Sequence, residues 1–196
     1  MSADVRLICF DLGRVLIKLC DGWHHACEVA GVPVPAAFTD EQRKQLQQLV
    51  HVSEIGQTSH DEFCRSMSAL TGIEPSHVDA LSTAFLRAPF PGALDLVREL
   101  KRQGFLTACL SNTNPSHWQI MCASSGPSAL ALTELDFRFG SHEIGVRKPD
   151  PAIYRHVEKA TGLRAQQIVF FDDAIRDRQP QACALPAAAT SKERFE

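Results

Sequence analysis

Three short stretches of this chain, residues 5–10, 105–110 and 168–171, are apolar almost without interruption, and each runs straight into polar residues. A strand with alternating polar positions can lie on a surface. One that is apolar along its length must be covered on both faces, as a strand inside a parallel sheet is. Each run ends in groups able to do chemistry: Asp11 after the first, Ser111-Asn112-Thr113-Asn114 after the second, and Asp172-Asp173 after the third. In a doubly wound sheet the carboxyl ends of the strands face one crevice, so these distant clusters are predicted to share a site.

The intervening segments read as helices. Pro91-Gly92 opens Ala93–Arg102, where leucine and valine recur at helical spacing before Gly104. Pro151 stands at the first turn of a second pattern over residues 152–160, closed by Gly162. Proline at the start and glycine just past the end are the usual asymmetry of helix termini. Strand and helix in alternation predict an α/β fold: a Rossmann-like doubly wound parallel sheet with right-handed crossovers.

Residues 18–87 interrupt that alternation. They carry helical patterns at about 22–30, 36–51, 59–71 and 76–86, with breaks at Gly31-Val32-Pro33, Gly56-Gln57-Thr58 and Gly72-Ile73-Glu74-Pro75. This is the signature of an all-helical cap subdomain inserted into a core of residues 1–17 and 88–196. Its place directly after Asp11 predicts a lid that excludes water and selects substrate; the alternative is an extra helical layer that only packs. Lys18, His24, His25 and His51 are its candidate substrate contacts.

Composition bounds the partners. A 44% hydrophobic content over 196 residues is enough for a full core, and the net charge of −3 is interspersed, with no basic stripe for nucleic acid. No apolar stretch approaches membrane-spanning length, and no leader pattern opens the chain, so the expected location is cytoplasmic. Seven cysteines without a Cys-x-x-Cys pair are expected to be reduced thiols. Cys20 and Cys27 flank His24 and His25, but their spacing matches no standard zinc pattern, and helix packing is the expected role. No motif fixes an oligomeric state.

Taken alone, Asp11-Leu12-Gly13 reads equally well as a turn or as a nucleophile at a strand end. Four clusters in one order decide the matter. Phe10-Asp11-Leu12-Gly13, Leu110-Ser111-Asn112-Thr113-Asn114, Arg147-Lys148-Pro149-Asp150-Pro151 and Phe170-Phe171-Asp172-Asp173 together resemble the haloacid dehalogenase-like hydrolase superfamily. Within it the nearest branch holds phosphatases of the glucose-1-phosphate phosphatase type and the N-terminal phosphatase domain of soluble epoxide hydrolases. The resemblance implies a Mg²⁺-dependent phosphatase acting on a small phosphorylated metabolite, a sugar phosphate among the candidates, through an aspartyl-phosphate on Asp11. It implies Lys148 as the catalytic cation and Ser111, Asn112 and Lys148 as phosphate-binding groups. It implies metal ligation by Asp11, the Gly13 carbonyl and Asp173, with Asp172 nearby and Asp177 in support.

The pattern is broken in three places. Gly13 stands where most phosphatases of this family carry a second aspartate as general acid and base, a function worth about 10²–10⁴ in rate. This opens a second reading, a slow or non-catalytic protein that binds a phosphorylated ligand or a partner. A metal-free haloacid dehalogenase is a third reading, opposed by the acidic pair Asp172-Asp173. Arg14 occupies a place that is usually small or amide-bearing, where it would either grip a phosphate or point to solvent. Finally, Pro180 and Pro186 fall where the family continues with a helix and a turn, so a short or irregular last unit is expected.

Overall fold

The computed structural model describes residues 4–34 and 38–173. Four strands, β1 (Leu7–Phe10), β4 (Leu106–Ser111), β5 (Phe137–Gly140) and β6 (Ile168–Phe171), form one parallel sheet in the order β5-β4-β1-β6. The two sides of β1 bury against different layers. Ile8 and Phe10 pack with Ala93 and Val97 of helix α5 (Ala93–Arg102) and with Met121 of α6 (Pro115–Cys122). Leu7 and Cys9 pack with Ile153 and Val157 of α8 (Pro151–Thr161), which follows the short α7 (Ser141–Ile144). This two-sided burial is why the strand sequences are continuously apolar.

From β1 the chain moves outward through β4 to β5 and then returns to place β6 on the other side of β1. The order reverses at β1, which opens the crevice at its carboxyl end. Two further strands, β2 (Ile17–Leu19) and β3 (Leu86–Pro89), pair antiparallel and frame the insertion. Between them lie α1 (Trp23–Ala30), α2 (Asp40–Glu54), α3 (His60–Thr71) and α4 (Pro75–Phe85). Cys20, Cys27, Leu46, Phe63, Met67 and Leu81 belong to a hydrophobic cluster drawn wholly from this helical segment, apart from the two clusters that flank the sheet.

The α/β fold, the parallel sheet and the helical insertion are as the sequence predicts; several boundaries are not. The first apolar run pairs only from Leu7, and β5 has no counterpart among the three predicted strands. Its sequence, Phe-Arg-Phe-Gly, alternates because an edge strand leaves one position to solvent. Helix α2 begins later than predicted because the Thr39 hydroxyl accepts from Gln42 N and the Gln42 side chain returns to Thr39 N, a reciprocal cap that fixes the first turn. It also runs to Glu54 rather than His51. The expectations for Asp177, Pro180, Pro186 and the last unit lie outside the described residues. Among the described residues, no helix is long and apolar enough to cross a membrane.

Candidate active site

Asp11 sits one residue beyond β1, where its backbone N–H donates to the Phe171 carbonyl at 2.7 Å and so locks it to the end of β6. Its Oδ1 accepts from Leu12 N at 2.7 Å, which leaves Oδ2 turned to Lys148. The Lys148 ammonium lies 3.0 Å from Asp11 Oδ2 and 3.0 Å from Asp172 Oδ2. Lys148 is only 2% exposed, so this is a buried cation joining two strand ends rather than a surface lysine. The Phe170 ring adds a cation–π contact, with its centroid 5.0 Å from the ammonium.

Asn112 holds that lysine in place. Its Nδ2 donates to the Lys148 carbonyl at 3.0 Å and its Oδ1 accepts from Lys148 N at 2.7 Å. The carboxamide thus fixes the backbone of the cationic loop against the end of β4. Ser111 is buried at the last position of β4 and lines the cavity described below.

Oxygen atoms of Asp11, Asp172 and Asp173 lie within 4.8 Å of one another. Two of these carboxylates, Asp11 and Asp172, share the buried Lys148 ammonium, and burial pushes the Asp11 carboxyl above the usual aspartate range against the pull of Lys148. An all-oxygen donor set with surplus negative charge fits a hard divalent cation such as Mg²⁺. Asp173, the more exposed acid of the group, also meets Arg14 Nε at 3.9 Å. The Arg14 guanidinium lies 3.6 Å from Asp21 as well, so it is shared between two acids instead of standing free in solvent. Both contacts are long and half-exposed, worth well under about 1 kcal/mol each.

The loop after Asp11 is drawn tight by the Leu12 carbonyl, which accepts from Leu16 N and Ile17 N at 2.9 Å each. Arg14 takes a left-handed φ of 60° in this turn. Gly13 does not, so its lack of a side chain is not forced by the backbone. A Cβ there would come within 2.8 Å of Leu19 Cδ1, the end of a flexible side chain.

Above these groups, between the core and the insertion, lies a cavity of about 310 Å³ whose lining includes Gly13, Ser111 and Asn112. Lys18, His24, His25 and His51 do not line it. Lys18 stacks over Phe90 at 5.6 Å, His25 accepts from Asp21 N, and His51 lines a separate surface cavity. Cys20 and Cys27 are buried, and neither belongs to a potential metal cluster with His24 or His25 among the described residues.

Sequence reasoning missed three groups that join the insertion to the core. Glu54, at the end of α2, lines the cavity and pairs with Arg147 at 2.8 Å; burial raises its carboxyl pKa. Ser141, fully buried, donates to the Glu54 carbonyl and accepts from Thr113 N at 3.0 Å. His117 Nε2 donates to the Ser82 carbonyl of α4 at 2.9 Å. Arg147 adjoins Lys148 and was a readable signal, whereas Glu54 and Ser141 were hidden by the early end given to α2 and by the unseen β5.

The sequence profile of the haloacid dehalogenase-like hydrolases matches residues 5–182. The chain belongs to this family. A phosphatase of Mycobacterium tuberculosis is 27% identical over 146 residues, 73% of this chain and 58% of its own length. Bifunctional epoxide hydrolase 2 of Sus scrofa is 28% identical over 192 residues, 86% of this chain but 33% of its own length. The chain therefore spans between a third and three-fifths of these curated relatives. Among solved structures, a HAD family enzyme of Bacteroides thetaiotaomicron superposes with a TM-score of 0.74 at 25% identity, covering 88% of this chain and 86% of that one. The same enzyme in complex with magnesium and inorganic phosphate gives a TM-score of 0.67 at 23% identity, over 87% and 86% of the two chains.

Proposed function

We propose that this family member is a Mg²⁺-dependent phosphatase acting on a small phosphorylated metabolite, with Asp11 as nucleophile. The observation that carries this reading is the buried Lys148 ammonium set 3.0 Å from both Asp11 and Asp172. An anionic nucleophile cannot approach a phosphoryl dianion without cationic screening, and Lys148 provides it at the attacking oxygen. Asp11, the Gly13 carbonyl and Asp173 would hold the metal, with Asp172 beside them; bound there, Mg²⁺ supplies Lewis-acid polarisation of the phosphoryl oxygens. The magnesium and phosphate complex of the Bacteroides enzyme, which shares the fold, is consistent with this.

In the first step an Asp11 carboxylate oxygen forms a bond to phosphorus while the bond to the leaving oxygen breaks, and the electron pair departs on that oxygen. In the second, water attacks phosphorus, the bond to Asp11 breaks, and dihydrogen phosphate leaves with both protons of the water. Ser111 binds the transferring phosphoryl group, and Asn112 contributes by positioning Lys148. In this reading residues 18–87 form the cap over a catalytic core of 1–17 and 88–196, and Arg14 steadies Asp173.

Gly13 favours one competing reading, a ligand-binding protein with little or no turnover. Phosphate release from p-nitrophenyl phosphate and a metabolite panel, with and without Mg²⁺, separates the two. Turnover abolished by EDTA and by Asp11→Asn supports the phosphatase; silence on every ester selects the binder. Chelator-resistant halide release from 2-haloacids would instead make the protein a dehalogenase.

A further inference from the structure

The cavity beside Asp11 has unusual walls for a site that takes a sugar phosphate. Its interior is closed by Trp23, Phe63, Met67, Leu81 and Phe85, and among the described residues no lysine or arginine lines it. Most of the polar groups that line it are already engaged within the protein, Glu54 with Arg147 and the Ser82 hydroxyl with His117 among them. Asn112 brackets the Lys148 backbone, Asn114 Oδ1 accepts from His117 N, and His117 Nε2 donates to the Ser82 carbonyl. A sugar placed here would surrender its hydration and find few partners for its hydroxyls, a heavy penalty for each buried polar group left unpaired.

The second constraint is chemical. With Gly13 in place of an acid, nothing on the loop after Asp11 protonates the departing oxygen. An alkoxide, whose conjugate acid is about as weak as water, leaves slowly under those conditions. A phenoxide, at about 10, needs far less help. Trp23 and Phe85 stand edge to face, with centroids 6.4 Å apart, and present the aromatic surfaces against which a planar ring packs well.

We infer, on the phosphatase reading above, that the substrate is an aryl monophosphate with an apolar body, whose ring and substituent fill the cavity while its phosphoryl group meets Asp11 and Lys148. A cavity of roughly 150 Å³ holds benzene. The 310 Å³ here accommodates a ring and a short alkyl substituent. Phosphorus–oxygen cleavage releases the phenoxide, which takes its proton from water after leaving.

A series of 4-alkylphenyl phosphates, lengthened from methyl to butyl and assayed with Mg²⁺, varies cavity contact while the leaving-group pKa stays nearly constant. The expected result is a rise in kcat/KM of about fourfold per methylene, levelling off once the cavity is full. Val50→Trp, which adds bulk to the cavity lining, should bring that plateau to a shorter chain. Octyl phosphate should act as a competitive inhibitor with slow turnover, and glucose 1-phosphate should be a poor substrate. A flat or falling alkyl series, or glucose 1-phosphate turned over as well as the aryl esters, overturns the inference while leaving the phosphatase reading intact. If no ester is hydrolysed, the phosphatase reading fails. Calorimetric titration with the matching 4-alkylphenylphosphonates then tests the cavity directly: tightening with each methylene upholds the aryl class, and chain-independent affinity refutes it.

Discussion

Replacing Gly13 with aspartate would give the loop after Asp11 the proton donor it lacks, and the structure allows the gain to be sized. The Gly13 backbone lies outside the left-handed region, so a side chain is admissible there, and the obstacle is Leu19 Cδ1 at 2.8 Å from the new Cβ. Displacing Leu19 from its rotamer costs about 0.5–1.5 kcal/mol, which predicts a fall in Tm of roughly 1–6 °C for a chain of this size. The new carboxyl joins Asp11, Asp172 and Asp173, and their negative charge favours its protonated form, the form an acid catalyst requires. General acid assistance of about 10²–10⁴ corresponds to about 2.7–5.4 kcal/mol of barrier, well above the packing cost. The assay is kcat across phosphate monoesters graded by leaving-group pKa. Alkyl esters should gain the most and p-nitrophenyl phosphate little, so the dependence on leaving-group pKa flattens. A folded, Mg²⁺-responsive Gly13→Asp protein with no gain on alkyl esters, or with the same gain on all esters, would refute the view that a missing acid limits the reaction.

Lys148→Met should abolish turnover and cost about 3–5 kcal/mol in urea unfolding, because it strips the ammonium from two partly buried carboxylates; Mg²⁺ should restore part of that stability, and a wild-type midpoint would contradict it. Asp173→Asn should raise the Mg²⁺ concentration for half-maximal turnover by about tenfold or more, the range already seen for residues that merely support a ligand; an unchanged Mg²⁺ titration would remove Asp173 from the ligand set. His117 has its pKa lowered by burial, with His60 adding to the effect. The unfolded chain therefore binds the proton more readily, so this contribution to stability is complete above about pH 6.5 and is lost as the pH falls below it. Thermal melts from pH 7.5 to 5 should show a declining Tm in the wild type and a shallower decline in His117→Asn, and identical slopes would show that His117 does not carry the effect.

Much of the fold follows from local chemistry that the sequence displays. Apolarity along residues 7–10 marks a strand buried on both faces, that along 168–171 marks a strand that is buried at Ile168 and exposed at Phe171, and Pro151 with Gly162 brackets α8 within a residue. The less legible features depend on neighbours. β5 leaves Arg138 exposed and so breaks the apolar run, and the last carbonyl of α2, that of Glu54, accepts from the Ser141 hydroxyl.

The same division runs through the site. The order of Asp11, Ser111, Lys148 and Asp172-Asp173 marks the family and points to a nucleophile, since each stands at an element end that local patterning places. What the chain alone determined is therefore which groups reach the crevice. Only the tertiary structure decided what they do there: that Lys148 spans Asp11 and Asp172, that Asn112 holds the lysine, and that Arg14 is shared between acids. The cavity is the strongest case, because its walls come from the four helices of the insertion, from β2 and β3, and from the loops after β1 and β4 with α6 of the core. No periodicity records which faces of separate elements meet across a void, because that depends on how the insertion packs onto the sheet.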